Sequence, residues 1–210
     1  MSIVLDGTSG ITATGALTGL TTPITVAQGG SGQTTLTSLP LVSPVISGTP
    51  SGVGTLTSGT AVASTSGTSI DFTSIPSWAK RITVMFNGVS TNGTSGLNIQ
   101  IGSGSIDTTS TYSGTGARFN GGGAGYNADT TSFILGSTLL GAADLTSGKY
   151  ELNLFSGFTY ILSGVGASQS GQVVVGAGVK TLAGVLDRIR ITTNNGTDTF
   201  DGGSINIMYE

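Results

Sequence analysis

The sequence predicts an all-β protein in two parts: an extended or intertwined fibrous segment over residues 1–60, and an antiparallel, jelly-roll-like β-sandwich over residues 61–210. Two observations predict this fold class. Residues 7–70 contain no charged residue and no aromatic residue, which is not the composition of an independent globular core. From about residue 61, apolar and polar residues alternate in short runs separated by turn residues, which is typical of half-buried strands.

The first part, residues 1–60, is rich in glycine, serine and threonine and is interrupted by prolines between Pro23 and Pro50. This composition also fits a flexible linker. A plain linker has no need of apolar residues, however, and this segment carries many between Ile24 and Ile46. An uncharged, β-branched chain aggregates unless its backbone is paired. We therefore favour an ordered attachment or shaft segment in which identical chains wind about a common axis, with a disordered linker as the alternative.

The second part, residues 61–210, shows several runs in which every other residue is apolar. The apolar members of these runs are Ile82, Val84 and Phe86; Leu97, Ile99 and Ile101; Tyr150, Leu152 and Leu154; Ile189 and Ile191; and Ile205, Ile207 and Tyr209. Shorter β-rich runs are SFILG, FTYILSG and QVVVGAGV. The Asn92-Gly93 pair predicts a tight hairpin between the first two runs. SIPSWAKRI holds one helical turn at most, so the spacing predicts an antiparallel sandwich or jelly-roll.

Charge and residue usage exclude several classes of function. The net charge is −3 and the chain has only 7 Lys and Arg, so it offers no basic patch and we expect no nucleic-acid partner. Cysteine and histidine are both absent, which removes thiolate metal sites, most zinc sites and the commonest general base. We therefore expect neither an enzyme, nor a cofactor, nor a bound metal ion.

The start of the chain, MSIVLDGTSG, has no basic region and only a short apolar run, unlike a secretory signal peptide. No stretch reaches the ~18 apolar residues of a membrane-spanning helix. We expect synthesis in a cytosol, release by lysis or assembly, and no membrane insertion.

Three glycine-rich runs resemble cofactor loops. In AQGGSGQTT, a phosphate-binding loop would place its first glycine at residue 27 and its lysine at residue 33. Those positions hold Ala27 and Gln33, and the residues after them are poor helix formers, so we expect no nucleotide there. The runs GSGSID, residues 102–107, and GGGAGYN, residues 121–127, are interpreted as turns between strands.

The loop from residue 194 to residue 203 is rich in oxygen atoms. Asp198 and Asp201, together with neighbouring asparagines, offer ligands for calcium, but the loop lacks the EF-hand spacing. The same residue types build long hairpin turns. The two aspartates, or either one with Glu151, are also a conceivable glycosidase pair. We expect a structural turn, with calcium binding and catalysis as alternatives.

The segment from Asp107 to Phe133 concentrates aromatic and charged side chains among glycines. The candidate receptor-binding residues are Tyr112, Arg118, Tyr126 and Asp129. Aromatic rings and an arginine on adaptable loops are typical of surfaces that recognise sugars or proteins. The alternative is that Phe119 and Phe133 belong to the core and that the tyrosines only cap it.

Several stretches resemble fibrous virion proteins of tailed bacteriophages. ITVAQGGSGQTTLTSL resembles a GGTGQTT element that recurs in tail fibres, and SIVLDGTSGIT is similar to the N-terminal segments of the same group. The stretch SGTSIDFTSIPSWAKRITVMFNGVSTNGTSG, with the C-terminal DGGSINIMYE, resembles a distal β-domain of such proteins. Together these stretches cover about half of the chain.

The resemblance implies a homotrimer and does not imply an enzyme. Its N-terminal part would attach to other tail or capsid proteins, and its C-terminal sandwich would face a host cell-surface glycan or protein. The protein would assemble in the host cytoplasm and reside in the virion. Two other functions remain open: a head fibre or capsid decoration protein without receptor binding, and a depolymerase that cuts surface polysaccharide.

Overall fold

The computed structural model describes residues 56–136, 141, 142 and 144–210. The fibrous segment predicted for residues 1–60, including the AQGGSGQTT run, therefore lies almost entirely outside the described residues. The described part consists of strands and loops, and the strands pair antiparallel in two sheets. The predicted all-β, antiparallel fold class is confirmed. The described part contains no helix that could span a lipid bilayer.

The described residues form strands β1 to β14. Their bounds are β1 Thr57–Ser58, β2 Val62–Ala63, β3 Ser69–Thr73, β4 Arg81–Thr91, β5 Leu97–Ser103, β6 Ser105–Ile106, β7 Ser113–Asn120, β8 Gly123–Asp129, β9 Phe133–Ile134, β10 Thr146–Ser156, β11 Thr159–Ser168, β12 Gln172–Thr181, β13 Arg188–Thr193 and β14 Phe200–Tyr209. Every alternating run singled out in the sequence lies within one of the longer strands. Thr57 already pairs with Tyr209, so strand pairing begins just before the predicted boundary at residue 61.

The large sheet has nine strands in the order β1-β14-β4-β10-β11-β12-β7-β8, with β2 also paired to β14. Consecutive strands β10, β11 and β12 form a meander, and β7 and β8 form a hairpin that completes one end of the sheet. The small sheet has five strands in the order β3-β13-β5-β6, with β9 also paired to β5. The short β9 therefore extends the small sheet beside β5.

The core lies between the two sheets, because the apolar members of the alternating runs point inward from both. The small sheet contributes Ile99, Ile101, Ile189 and Ile191, and the large sheet contributes Val84, Leu152, Leu162 and Ile205, all completely buried. Alternation along a strand sends the polar neighbours of these residues to the outer faces. Each sheet therefore has an outer face whose side chains point away from this core.

The hairpin predicted at Asn92-Gly93 is wrong, because β4 and β5 belong to different sheets. Gly93 does not have the positive φ that a type I′ turn requires at its second central residue. Instead, Asn92 exchanges backbone and side-chain hydrogen bonds with Thr199, whose amide donates to Asn92 Oδ1 at 2.8 Å. The Asn92-Gly93 pair therefore lies where the chain crosses from the large sheet to the small sheet, and its hydrogen bonds to the loop that follows β13 hold it in place.

The two glycine-rich runs in the described part each contain the predicted turn, but most of their residues belong to the flanking strands β5, β6 and β8. Gly104 has a φ of 74° between β5 and β6, and the run beginning at Gly121 turns the chain from β7 into β8.

Candidate functional site

Tyr112 lies in the core, contrary to the prediction that it contacts a receptor. Its side chain is only 3% exposed. Its hydroxyl accepts a hydrogen bond from the Ile101 amide at 2.9 Å and donates to the Asp107 carbonyl oxygen at 2.9 Å. Its ring meets Phe133 edge-on, with centroids 5.0 Å apart. Burial raises the pKa of the Tyr112 hydroxyl, so Tyr112 is a structural residue of the sandwich.

A buried lysine holds the loop that precedes Tyr112. The Lys180 ammonium lies 2.9 Å from Asp107 Oδ2 and donates to the hydroxyls of Thr109 and Thr111. It also stands over the Tyr112 ring, 4.4 Å from the centroid. Burial raises the pKa of Asp107, but hydrogen bonds from Thr109 and Lys180 outweigh it, so that the pKa is below its usual value. Sequence reasoning missed this cluster, although Lys180 ends a glycine- and valine-rich run at an inward position.

Arg118 and Tyr126 lie on opposite faces of the β7–β8 hairpin. Arg118 pairs with Gly125, and Ala117 pairs with Tyr126, so strand alternation turns Arg118 toward the inner side and Tyr126 toward the outer side. Tyr126 is 80% exposed, whereas Arg118 is half-buried. The structure therefore does not bring Tyr112, Arg118, Tyr126 and Asp129 into a single cluster. Receptor binding by Arg118, Tyr126 or Asp129 stays a prediction.

The outer face of the small sheet carries a polar groove of about 300 Å³. Strand register places its residues in two rows. Arg190 and Gln100 lie opposite one another on β13 and β5, in a row that Asp71 on β3 continues beyond the lining of the groove, and Ser69, Thr192 and Asn98 form the next row. The loop from Asp129 to Ser132 forms one wall and the loop from Thr193 to Gly196 forms another. We call these rows and walls the polar groove.

Asp129 organises the first wall of the polar groove. Its carboxylate accepts hydrogen bonds from the Thr131 amide at 2.8 Å and from the hydroxyls of Thr131 and Ser132 at 2.9 and 2.6 Å. Asn98 Nδ2 in turn donates to Ser132 Oγ at 2.7 Å. Burial raises the pKa of Asp129, but these hydrogen bonds and one from the Thr130 amide lower it below its usual value. The wall is therefore a defined hydrogen-bonded turn rather than a loose loop.

Asp71 and Arg190 form a two-pronged ion pair across β3 and β13. Arg190 Nε and Nη2 donate to the two carboxylate oxygens of Asp71, each at 2.7 Å. The side chains are 36% and 38% exposed for Arg190 and Asp71, so a ligand can reach both. Next in the row, Gln100 Nε2 lies 3.4 Å from the Thr131 carbonyl oxygen. That long contact leaves the Gln100 amide available for a stronger hydrogen bond.

The opposite wall of the polar groove belongs to the acidic loop, residues 194–203, that the sequence analysis singled out. Asn195 Oδ1 accepts from the amides of Thr197 and Asp198, both at 3.1 Å, while Asn195 Nδ2 donates to Asp198 Oδ1 at 2.6 Å. The other oxygen of Asp198 accepts from the Ser95 amide at 3.0 Å. Asp198 therefore stabilises a long turn. Within the part of the chain that the structure describes, no group of three or more acidic residues is arranged as a metal site.

The carboxylates considered as a glycosidase pair each bind a different neighbouring side chain. Asp201 accepts a hydrogen bond from the Ser90 hydroxyl, on β4. Glu151 lies on the outer face of the large sheet, where it pairs with Lys149 at 2.9 Å. Neither belongs to the polar groove.

The chemistry of the polar groove is hydrogen bonding. Its residues offer amide, hydroxyl, carboxylate and guanidinium groups, so donors and acceptors are interspersed. Small-molecule sites are usually lined mostly by apolar side chains, and this groove is not. The sequence contained one signal for it: the polar members of the alternating runs, among them Asn98, Gln100 and Arg190, had to share an outer face. It contained no signal for which loops would enclose them.

Comparison of the chain with protein-family models, with curated proteins and with solved structures finds no match in any of the three. A functional assignment for this chain therefore depends on its sequence resemblance, its fold and the geometry of the polar groove.

Proposed function

We propose that the chain is a structural and adhesive virion protein of a tailed bacteriophage, a trimeric fibre or fibre tip. Its N-terminal part attaches to other virion proteins, and its sandwich binds a glycan on the host surface through the polar groove. The sequence resemblance supports the class of protein. The observation that carries the binding function is the polar groove on the small sheet.

The polar groove suits a glycan because sugar hydroxyls both donate and accept hydrogen bonds. Asp129 and the Asp71–Arg190 pair are held in place by their own hydrogen bonds, so a ligand meets groups that are already oriented. Pre-oriented groups lower the entropic cost of binding. A single groove with such polar chemistry binds weakly, but three grooves on one fibre multiply the strength of attachment through avidity.

The test uses the full-length chain on arrayed bacterial surface polysaccharides and on whole bacterial cells. We expect wild type to bind a subset of polysaccharides. Gln100→Ala removes one donor and one acceptor from the groove at a position whose internal contact is long, and should weaken binding about tenfold, the equivalent of one hydrogen bond of ~1.4 kcal/mol. Asn153→Ala, on the outer face of the large sheet, is the matched control and should bind like wild type.

The outcomes separate the proposal from its alternatives. Cell binding that protease treatment of the cells abolishes would indicate a protein receptor. A capsid decoration protein predicts no binding to any cell or polysaccharide, and a depolymerase predicts shortening of the polysaccharide that it binds. Equal binding by wild type and Gln100→Ala would contradict a role for the polar groove.

A further inference from the structure

The outer face of one half of the large sheet is apolar and exposed. It consists of the outward-facing residues of β11, β12, β7 and β8, which we call the apolar face. Within these described strands no outward position holds a charged residue. Its large exposed side chains are Ile161, Val165, Val173, Val179, Phe119 and Tyr126, and the remaining positions hold alanine, serine, threonine and Val175. Exposed apolar patches of this kind mark interaction sites.

Three of the four valines of β12 point outward, while Val174 is buried on the inner side; two other inner positions are glycines against which backbone packs. At Gly176, a β-carbon would stand 2.4 Å from the Ile134 carbonyl oxygen, and at Gly178 it would stand 2.4 Å from the Ser113 carbonyl oxygen. Only glycine tolerates such an approach. The inward positions are thus used for close packing, and Val173, Val175 and Val179 contribute little to the core of this domain.

The apolar face ends sharply at the middle of the sheet. Strand register places Met85, Lys149, Val165, Val175, Ala117 and Tyr126 in one outward-facing row across six strands. The next row contains Glu151 on β10 and Ser163 on β11. Charged side chains therefore occupy outward positions on β10 but none on the neighbouring strand β11. A surface that merely faces water has no reason to segregate its charges in this way.

We propose that the apolar face packs against the same face of two other copies of this chain, forming the three-fold interface of the trimer. This inference rests on the trimeric state in the proposed function and adds the surface that forms it. An uncharged face suits contact with itself, because identical charges would otherwise meet near the axis. The occupant is thus a second and a third copy.

The width of the face fits a three-fold arrangement. Four strands at ~4.8 Å spacing give a face ~19 Å wide. Three such faces close a triangular prism whose axis lies ~5.5 Å from each backbone plane, about half of the ~10 Å spacing of packed sheets. Side chains of the size of valine, alanine and threonine fill that space.

The area of the face is sufficient for the centre of an interface. The paired stretch of β12 and β7 runs from Val173 to Val179, so the face covers ~450 Å² of flat sheet at ~3.4 Å per residue. Side chains that stand on it add accessible surface, and a stable interface takes about 800 Å² per partner. On this proposal Tyr126 contacts a neighbouring copy rather than a receptor.

The first experiment measures the mass of the full-length chain by light scattering. Wild type should be a trimer. Val165→Lys combined with Val173→Lys places charges at positions that are 49% and 45% exposed in the single chain, so the fold should survive while the trimer dissociates to monomer. Thr83→Lys, on the outer face of β4 beside Glu151, should remain trimeric. Circular dichroism spectra identical to that of wild type show that the variants are folded.

The second experiment leaves the apolar face uncharged. The chain contains no cysteine, so Ala177→Cys provides a unique site for a spin label at the centre of the face. Labels at position 177 should lie on the order of 10–20 Å apart between copies, as the prism geometry requires, and labels at Thr83→Cys should lie much farther apart.

The results separate this inference from the proposed function. A double-lysine trimer that dissociates at the same dilution and temperature as the wild-type trimer, or labels at position 177 that lie as far apart as those at position 83, would overturn the interface and leave glycan binding standing. A monomeric wild type would overturn the interface and the trimeric state together. Equal glycan binding by Gln100→Ala and wild type would overturn the role of the polar groove and leave the proposed interface standing.

Discussion

The outer face of the small sheet and the apolar face of the large sheet belong to one domain and have opposite chemistry. Arg190 and Gln100 occupy one outward row of the small sheet, where the side chains are long and polar; Arg190 donates hydrogen bonds to Asp71, and Gln100 contacts the Thr131 carbonyl oxygen. Val165, Val175 and Tyr126 occupy one outward row of the apolar face, and on the described strands β11, β12, β7 and β8 no outward position of that face is charged. We interpret the first face as the surface for a host glycan and the second as the surface for other copies of the chain.

The difference arises from what each sheet places on its inner side. In β13 and β5 of the small sheet, isoleucines point inward and are completely buried, such as Ile189 and Ile99, which leaves the polar residues outside. In β12 the inner side includes Gly176 and Gly178, which admit the backbone of neighbouring segments, and most of the valines are left outside. Alternation alone therefore does not reveal which side of a strand faces the core.

The largest effect should come from filling the inner side of β12. Gly178→Ala would place a β-carbon 2.4 Å from the Ser113 carbonyl oxygen and 2.8 Å from the Phe133 ring. Because backbone must shift, we expect the free energy of unfolding to fall by about 3 kcal/mol. Gly121→Ala, which meets open space, should change it by less than about 0.5 kcal/mol. Both values come from chemical denaturation.

Equal stability of Gly178→Ala and Gly121→Ala would contradict the explanation given above for the different chemistry of the two faces. It would mean that β12 does not press against Ser113 and Phe133, and the outward direction of its valines would lose its explanation.

The fold class was predictable because alternation is a local property. The runs around Val84, Ile99, Leu152, Ile191 and Ile207 all lie in strands, with their apolar members buried except for Leu154 and Tyr209, which are partly buried against the core. Pairing between strands is not local, and the Asn92-Gly93 hairpin failed for that reason: the end of β4 pairs with β14 through Thr91 and Phe200. Turn residues indicate that a chain bends, but not which sheet it then enters.

The candidate site was predictable only in part. The sequence singled out Asp129, which does form a wall of the polar groove, but grouped it with Tyr112, which is buried. Arg118 and Tyr126, which the sequence placed in the same group, are separated because alternation turns them to opposite faces of the β7–β8 hairpin. Gln100 and Arg190 are far apart in sequence and adjacent in space, and only the register of β5 and β13 brings them together.

A smaller effect on stability should distinguish the interior ion pair, Asp107–Lys180, from the Asp71–Arg190 ion pair of the polar groove. Asp107→Asn leaves the ammonium of Lys180, a fully buried side chain, without its carboxylate, and we expect the free energy of unfolding to fall by about 2 kcal/mol, because breaking a buried pair is costly. Asp71→Asn removes the matched carboxylate beside Arg190 at the surface, where such pairs contribute about 0.5 kcal/mol. Thermal and denaturant unfolding of both variants at neutral pH measure the difference.

The stability difference between Asp107→Asn and Asp71→Asn also tests whether the outer face of the small sheet binds the glycan. If Asp71→Asn barely changes stability yet weakens glycan binding, the Asp71–Arg190 pair serves the ligand more than the fold. A loss of stability as large as that of Asp107→Asn would make the pair structural.

The smallest effect is a pH dependence that the two faces should not share. The pKa of Asp129 is below its usual value of 3.8 in the folded chain, so the unfolded chain takes up the proton first as the pH falls. The contribution of Asp129 to stability is therefore complete above about pH 5, well above the unfolded-state pKa, and is lost as the pH falls through that value and the folded-state pKa. The free energy of unfolding of wild type should exceed that of Asp129→Asn by about 1 kcal/mol at pH 7, the contribution of hydrogen bonds to a charged group, and by less at pH 3.

The apolar face holds no carboxylate, so the mass of the trimer should stay constant over the same range while the protein remains folded. An advantage of wild type that persisted undiminished to pH 3 would remove the carboxylate of Asp129 as the group that holds the groove wall. A trimer that dissociated in step with acidification, before unfolding, would place titrating groups in the interface and exclude the apolar face as its centre.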